Sequence, residues 1–285
     1  MALEAMKPKV SKNRLKLFMY GNAKVGKTTL SIQFPKPYII DTEGTTDKSK
    51  YVDLINKSNG VVLITQDFDK LVEQVKDLLT LKHDYKTLVI DSLTILYNDL
   101  LDKSAIKVGT EFGRHYGEAN KKMKHLVNLL LRLDMNVIIT SHAKNEYGAN
   151  LSVLGSTFDC YKKLDYIFDL ILEVQKRGKD RVALIKGTRL IEFPEDDAFP
   201  CNYEEFSKRY DKESLERNAI PEKLASQDQV SHLKYLIDLY KESEDTVQKW
   251  LDKAKAQSLN ELSEDVTLKL ITHMENKPKQ KGEAA

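Results

Sequence analysis

The chain has 285 residues, with 45 lysines and arginines against 43 aspartates and glutamates, for a formal net charge of +2. That balance excludes a chain-wide basic field, so any nucleic-acid or acidic-lipid surface must be a local patch. No apolar run nears the roughly 18 residues of a helical membrane span, and residues 1–11 lack the apolar core of a signal peptide, so a cytoplasmic location without a membrane partner is expected.

Residues 1–12 read as a flexible polar leader. Leu15 to Tyr20 then form an apolar strand that runs into Gly21-Asn22-Ala23-Lys24-Val25-Gly26-Lys27-Thr28, followed by the helix-opening Thr29 and Leu30. Gly, four residues, Gly-Lys-Thr between a strand and a helix is the phosphate-binding P-loop in its required context. Its glycines let backbone N–H groups turn toward a polyphosphate, Lys27 reaches the outer phosphates and Thr28 a magnesium ion.

Tyr38 to Asp41 is the next short strand, and it ends in Asp41-Thr42-Glu43-Gly44. Ligands of parallel α/β sheets bind beyond the carboxyl ends of the strands, which places Glu43 in the P-loop crevice. Val61 to Ile64 is a further strand. Phe68, Leu71, Val72, Val75, Leu78 and Leu79 recur at helical spacing and predict a helix with one face on the sheet. Thr87 to Ser92 is an apolar strand closed by Asp91, the form of a Walker B segment, whose carboxylate suits magnesium opposite Thr28.

Between Lys103 and His125 six cations (Lys103, Lys107, Arg114, Lys121, Lys122, Lys124) face two acids (Glu111, Glu118), with Phe112, His115 and Tyr116 interleaved. Gly109, Gly113 and Gly117 predict a mobile loop before the helix of Leu126 to Leu133. Such a stretch suits either a nucleic-acid backbone or a solvated helix face. Asn136 to His142 is the next strand, and His142 at its end is either structural or a phosphate-sensing group. Ala143 to Lys163 reads as a long irregular loop.

Tyr166 to Leu172 and Arg181 to Ile185 flank Arg177-Gly178-Lys179-Asp180 as a β-hairpin. It leads to Lys186 and Arg189, two cations that suit a solvated edge or a nucleotide on a neighbouring subunit. Residues 211–227 are polar and read as a linker. Ser226 and Gln229 make a capping-box pattern, and three amphipathic helices fill 228–276. From 222 to 285 ten basic residues meet twelve acidic ones, which argues against this module as the main DNA-binding surface. Residues 277–285 read as a disordered tail. Cys160 and Cys201 are isolated and expected to be reduced.

The stretch from residue 13 to 210 resembles the RecA-like ATPases, and more narrowly the phage-encoded members associated with single-strand annealing and recombination. The residues that carry the resemblance are Gly21 to Thr28, Asp41-Thr42-Glu43, Leu88 to Ser92, Thr140 to Lys144 and Lys186 to Arg189. It implies an α/β core with a mainly parallel twisted sheet flanked by helices, plus the small helical module. Its implied cofactors are ATP and Mg2+. The implied catalytic set is Lys27, Glu43 as general base, His142 as a sensor where RecA has glutamine, and Lys186 and Arg189 reaching across an interface. Thr28 and Asp91 are the implied metal residues.

The implied activity is ATP-dependent annealing or strand exchange by a homo-oligomer, ring or filament, that binds single-stranded DNA through residues 103–124 and 143–163. A replication or recombination protein is the expected partner of the C-terminal helices, and the cytoplasm of a bacterial host the expected location. A helicase-like or loader motor, and a nucleotide-gated interaction module, are the alternative functions.

Overall fold

The computed structural model describes residues 14–147, 150 and 152–277, so the leader 1–12 and nearly all of the tail lie outside the described residues. The elements follow in chain order as β1 (Lys16–Gly21), α1 (Lys27–Ile32), β2 (Pro37–Asp41), α2 (Ser49–Lys57), β3 (Val61–Ile64), α3 (Phe68–Thr80), β4 (Thr87–Asp91) and α4 (Leu93–Val108). Next come α5 (Arg114–Arg132), β5 (Asn136–Tyr147), β6 (Val153–Phe158), α6 (Leu164–Ile167), β7 (Leu170–Arg177), β8 (Asp180–Thr188) and β9 (Ala198–Pro200). The chain closes with α7 (Tyr203–Arg209), α8 (Lys212–Glu216), α9 (Gln227–Leu239), α10 (Glu244–Ala254) and α11 (Glu264–Glu275).

Two compact units emerge. The first takes the described residues of 1–66, 84–96 and 135–219, and the second those of 67–83, 97–134 and 220–285. In the first, a nine-stranded sheet has the order β3-β2-β4-β5-β1-β7-β8-β9, with β6 paired to β5. From β3 through β7 along that path the strands are parallel; β8, β9 and β6 pair antiparallel. Strands buried on both faces need continuous apolar sequence, and β1 and β4 are buried at every position. The core collects Leu17, Met19, Leu30, Ile39, Val89, Ile138 and Leu172 with the aromatic residues Phe34, Phe193, Phe199 and Phe206. The fold is thus a mixed α/β, mainly parallel sheet, as the strand-and-helix alternation predicts.

Residues 211–219 do not behave as a linker. Leu215 of α8 is fully buried, and the buried Arg14 guanidinium donates to the carbonyls of Ser214 (2.8 Å), Arg217 (2.8 Å) and Asn218 (2.7 Å). Three carbonyls at the end of a short helix thereby gain a fixed cation. The polar composition that suggested a linker belongs to the exposed side of this segment.

The sequence also misplaces two loops. Residues 103–125 are mostly helix, with only a short turn at 109–113 between α4 and α5, and Gly117 lies inside α5. Residues 143–163 carry an antiparallel pairing of β5 with β6, in which Ala143 faces Phe158 and Asn145 faces Ser156. The β7–β8 hairpin starts at Leu170, because Tyr166 and Ile167 belong to α6.

In the second unit, α3 buries Phe68, Leu71, Val75, Leu78 and Leu79. Helices α9, α10 and α11 close over Leu233, Leu236, Leu251, Leu262, Ile271 and Met274. Ser226 and Gln229 complete the capping box at the start of α9. Leu224 bridges to Ser263, so the end of the supposed linker is pinned as well.

Candidate nucleotide site

The P-loop is shaped by what its glycines must avoid. Gly21 ends β1, and a Cβ there would fall 2.3 Å from the Val174 carbonyl oxygen on β7. Gly26 has φ +118°, a conformation that side chains rarely adopt, and a Cβ would meet Arg181 Cδ at 2.8 Å. Between them the chain turns back so that Lys27 opens α1. The buried Lys27 ammonium donates to the loop's own carbonyls, Gly21 at 2.7 Å and Asn22 at 2.9 Å. Burial lowers its pKa, while Asp91 and Glu43 pull it back up.

Asp91 ends β4, the strand separated from β1 by β5. Its carboxylate is clasped by two hydroxyls: Thr28 donates to Oδ2 at 2.5 Å and Thr140 of β5 donates to Oδ1. Burial holds its pKa above the ordinary carboxylate value, and the Thr140 and Thr28 hydrogen bonds offset this only in part. A hydroxyl and a carboxylate beside a phosphate loop form the oxygen donor set that magnesium takes up together with substrate phosphates. Among the described residues no cluster of three or more His, Cys, Asp or Glu is placed to hold a metal ion by itself.

Glu43 is held by its neighbour Asp41. That buried carboxylate accepts from the backbone N–H of Glu43, Gly44 and Thr46, each at 2.9 Å, and from the Thr46 hydroxyl at 2.6 Å. The turn after β2 is therefore wound around Asp41 and presents Glu43 outward. Thr42 ties the ends of β2 and β4 together, donating to the Ser92 carbonyl and accepting from its N–H, both at 2.9 Å. His142, at the level of Gly21 in the β1–β5 register, brings Nε2 to 2.7 Å from Glu43 Oε1 and 3.3 Å from Ser92 Oγ. A carboxylate only accepts, so the proton of this pair sits on Nε2. The backbone N–H of His142 donates to Thr94 Oγ1 at 3.0 Å, which fixes the ring's origin.

These groups line one cleft of about 630 Å³, whose walls include Asn22, Ala23, Lys24, Gly26, Lys27, Thr28, Thr29, Glu43, Asp91 and His142. Every residue predicted for phosphate or metal, together with Glu43 and His142, is thus in or beside it; Val25 packs in the core behind. Lys186 and Arg189 are not. Strand β8 runs antiparallel to β7, so its beginning, not its end, lies at the carboxyl edge of the sheet. Arg189 instead donates to the Tyr166 carbonyl (2.5 Å) and pairs with Asp169 (3.4 Å) at the opposite edge.

Sequence reading missed Thr140 and Arg181. A hydroxyl one pleat before His142 was the available signal for Thr140. Arg181 became visible only with the hairpin register. The two cysteines are free, and burial pushes both thiols up to about 12, which removes any thiolate chemistry near neutral pH.

A family model described as an AAA domain matches residues 13–201. The chain belongs to that family. The AAA domain covers β1 through β9 and every group of the cleft, and the assignment supports nucleotide binding and ATPase activity. Among solved structures, the RadB recombinase is 19% identical with a TM-score of 0.43, over 64% of this chain and 84% of that one. A comparison with curated proteins finds no match. No helix among the described residues of the AAA domain or the rest of the chain is long and apolar enough to cross a membrane.

Proposed function

We propose that the protein is a magnesium-dependent ATPase of the RecA-like kind that binds single-stranded DNA and promotes annealing or strand exchange. The convergence of Lys27, the Thr28–Asp91 pair and the Glu43–His142 pair on one cleft is the observation that carries the hydrolytic part. The DNA part rests on the resemblance in sequence.

In this reading the P-loop amides and Lys27 take the ATP phosphates, the ammonium exchanging its two loop carbonyls for phosphate oxygens. Thr28 and Asp91 hold the magnesium ion, which when bound neutralises charge on the phosphates. Glu43 removes a proton from water as its oxygen bonds to the γ-phosphorus. The bond from that phosphorus to the bridging oxygen breaks, and ADP leaves with the electron pair. His142 orients the Glu43 carboxylate through Nε2 and gives up that bond when the phosphate it borders is gone. A homo-oligomer in the bacterial cytoplasm, engaging another replication or recombination protein through α9 to α11, completes the reading.

For DNA, Phe112 stands almost fully exposed, at 98%, on the turn between α4 and α5, and Tyr116 is half exposed nearby in sequence. Exposed rings can stack bases. The surrounding cations are partly committed elsewhere: Lys103 pairs with Asp99, Lys107 with Glu118, Lys122 with Asp69 and Lys124 with Asp252.

The test is ATP turnover with and without single-stranded DNA at about 50 and about 200 mM salt, since phosphate contacts weaken as salt rises. Salt-sensitive stimulation that Lys27→Ala abolishes supports the proposal. Lys27-dependent turnover with no DNA binding replaces it by a nucleotide-gated interaction module, and unwinding of a tailed duplex replaces it by a motor.

A further inference from the structure

The β7–β8 hairpin turns over the nucleotide loop. Strand β7 is parallel to β1, with Tyr20 opposite Glu173, so β7 continues past the point where β1 becomes the P-loop. The chain reverses through Gly178, and Arg181 comes back opposite Lys176. Its aliphatic stem lies against Gly26, close enough that a Cβ at that position would sit 2.8 Å from Cδ and 3.5 Å from Nε. Arg181 belongs to the wall of the same cleft as Lys27, Thr28, Glu43 and His142.

Its side chain is also uncommitted. Among the described residues Arg181 forms no ion pair, whereas Arg189 is held by Asp169 and two backbone carbonyls. A guanidinium stays charged at any working pH and presents five N–H donors in a planar fork that matches phosphate oxygens. An unpaired one whose stem lies against the glycine of a phosphate loop has an anionic counterpart at hand, the nucleotide of its own chain.

We propose that Arg181 is a phosphate-contacting residue acting in cis, supplying from the β7–β8 hairpin the cation that the resemblance to RecA-like ATPases assigns to a neighbour's Lys186 or Arg189. Gly26 then has two reasons to be glycine, its backbone conformation and the room it leaves for the Arg181 stem. This rests on the nucleotide-binding reading above.

Arg181→Ala is expected to lower kcat/KM for ATP by about ten- to a hundredfold, the scale of a lost charge-assisted contact. Arg181→Lys should recover part of it, since the charge returns without the fork. Circular dichroism and thermal melting of both variants should match the parent, because the residue is exposed. Cis and trans action separate on mixing Arg181→Ala with Lys27→Ala protein. A cis arginine leaves the mixture no more active than its parts, while a trans arginine lets the Lys27→Ala subunits donate Arg181 to intact P-loops and turnover rises. Wild-type kinetics in folded Arg181→Ala, or recovery on mixing, overturns the proposal. Parent protein that neither binds nor turns over ATP would instead sink the nucleotide reading beneath it, so the two failures are distinct.

Discussion

His142 Nε2 and Glu43 Oε1 meet at 2.7 Å across 99 residues of chain, joining the middle of β5 to the turn that follows β2, in the cleft that Asp91 also lines. Neither residue is positioned by its own strand alone. Asp41 winds the turn that offers Glu43, and Thr94 anchors the backbone from which the imidazole reaches.

That pairing makes Glu43→Gln the cleanest probe of the general base. The amide can still accept from Nε2 but cannot take a proton, so hydrolysis should fall by about 10²- to 10⁴-fold while nucleotide affinity is kept. Single-turnover kinetics beside equilibrium binding of a non-hydrolysable analogue separates the two. Equal loss of binding and turnover would make Glu43 a binding group.

Thr28→Val should raise the magnesium concentration needed for half-maximal turnover by roughly tenfold or more, a scale reached even by outer-shell partners of metal ligands. The substitution also strips Asp91 Oδ2 of its donor. Thr28→Ser keeps the hydroxyl and should stay near the parent in a magnesium titration.

The cleft was legible in sequence because its chemistry is local. Gly21 to Thr28 is contiguous, and Glu43, Asp91 and His142 each end an apolar run whose type is plain from composition. Arg181 and Lys186 differ in this respect. They lie five residues apart on one strand, and only the antiparallel register decides which of them reaches the carboxyl edge of the sheet. Residues 103–125 show a related failure: glycines at both ends of a five-residue turn looked like a loop of twenty, because helix propensity cannot tell a cap from an interruption. Residues 211–219 misled for the opposite reason, since their one large buried side chain, Leu215, is hidden among charges.

Arg14→Met tests whether that segment is structural. Losing three hydrogen bonds from a buried guanidinium should cost about 1.5–3 kcal/mol of stability, read as a lower midpoint in urea unfolding. An unchanged midpoint would return 211–219 to the status of a tether.

Phe112→Ala should weaken single-stranded DNA binding by the ~1–3 kcal/mol typical of a base stacked on an aromatic ring, with no change in the salt slope. Fluorescence anisotropy of a labelled oligonucleotide at several salt concentrations gives both quantities. Unaltered affinity would remove the α4–α5 turn from the DNA surface.

Acid should destabilise the second unit through His125. Its Nε2 lies 3.7 Å from Glu261 Oε1, a carboxylate that also pairs with Lys76 at 2.9 Å, while Arg132 donates to the Glu261 carbonyl at 2.7 Å. Burial lowers the imidazole pKa below the ordinary 6.5; Glu261 raises it, but Lys76 and Arg132 add to the lowering. Below 6.5 the unfolded chain therefore binds a proton that the folded chain resists, so stability falls as pH falls through the window between the two values. Glu261 acts in the same direction at lower pH. Burial raises its pKa, but the Gln257 N–H, Lys76 and His125 outweigh it, and the stability this gives is lost as pH falls below 4.5. Trp250, the single tryptophan of the chain, packs on the core of this unit and reports its unfolding by fluorescence. The urea midpoint should drop between about pH 7.5 and about 5.5, and His125→Leu should flatten that drop while leaving the fall below it. A parent profile already flat above pH 5.5 would show that His125 protonates as easily in the folded chain as in the unfolded one.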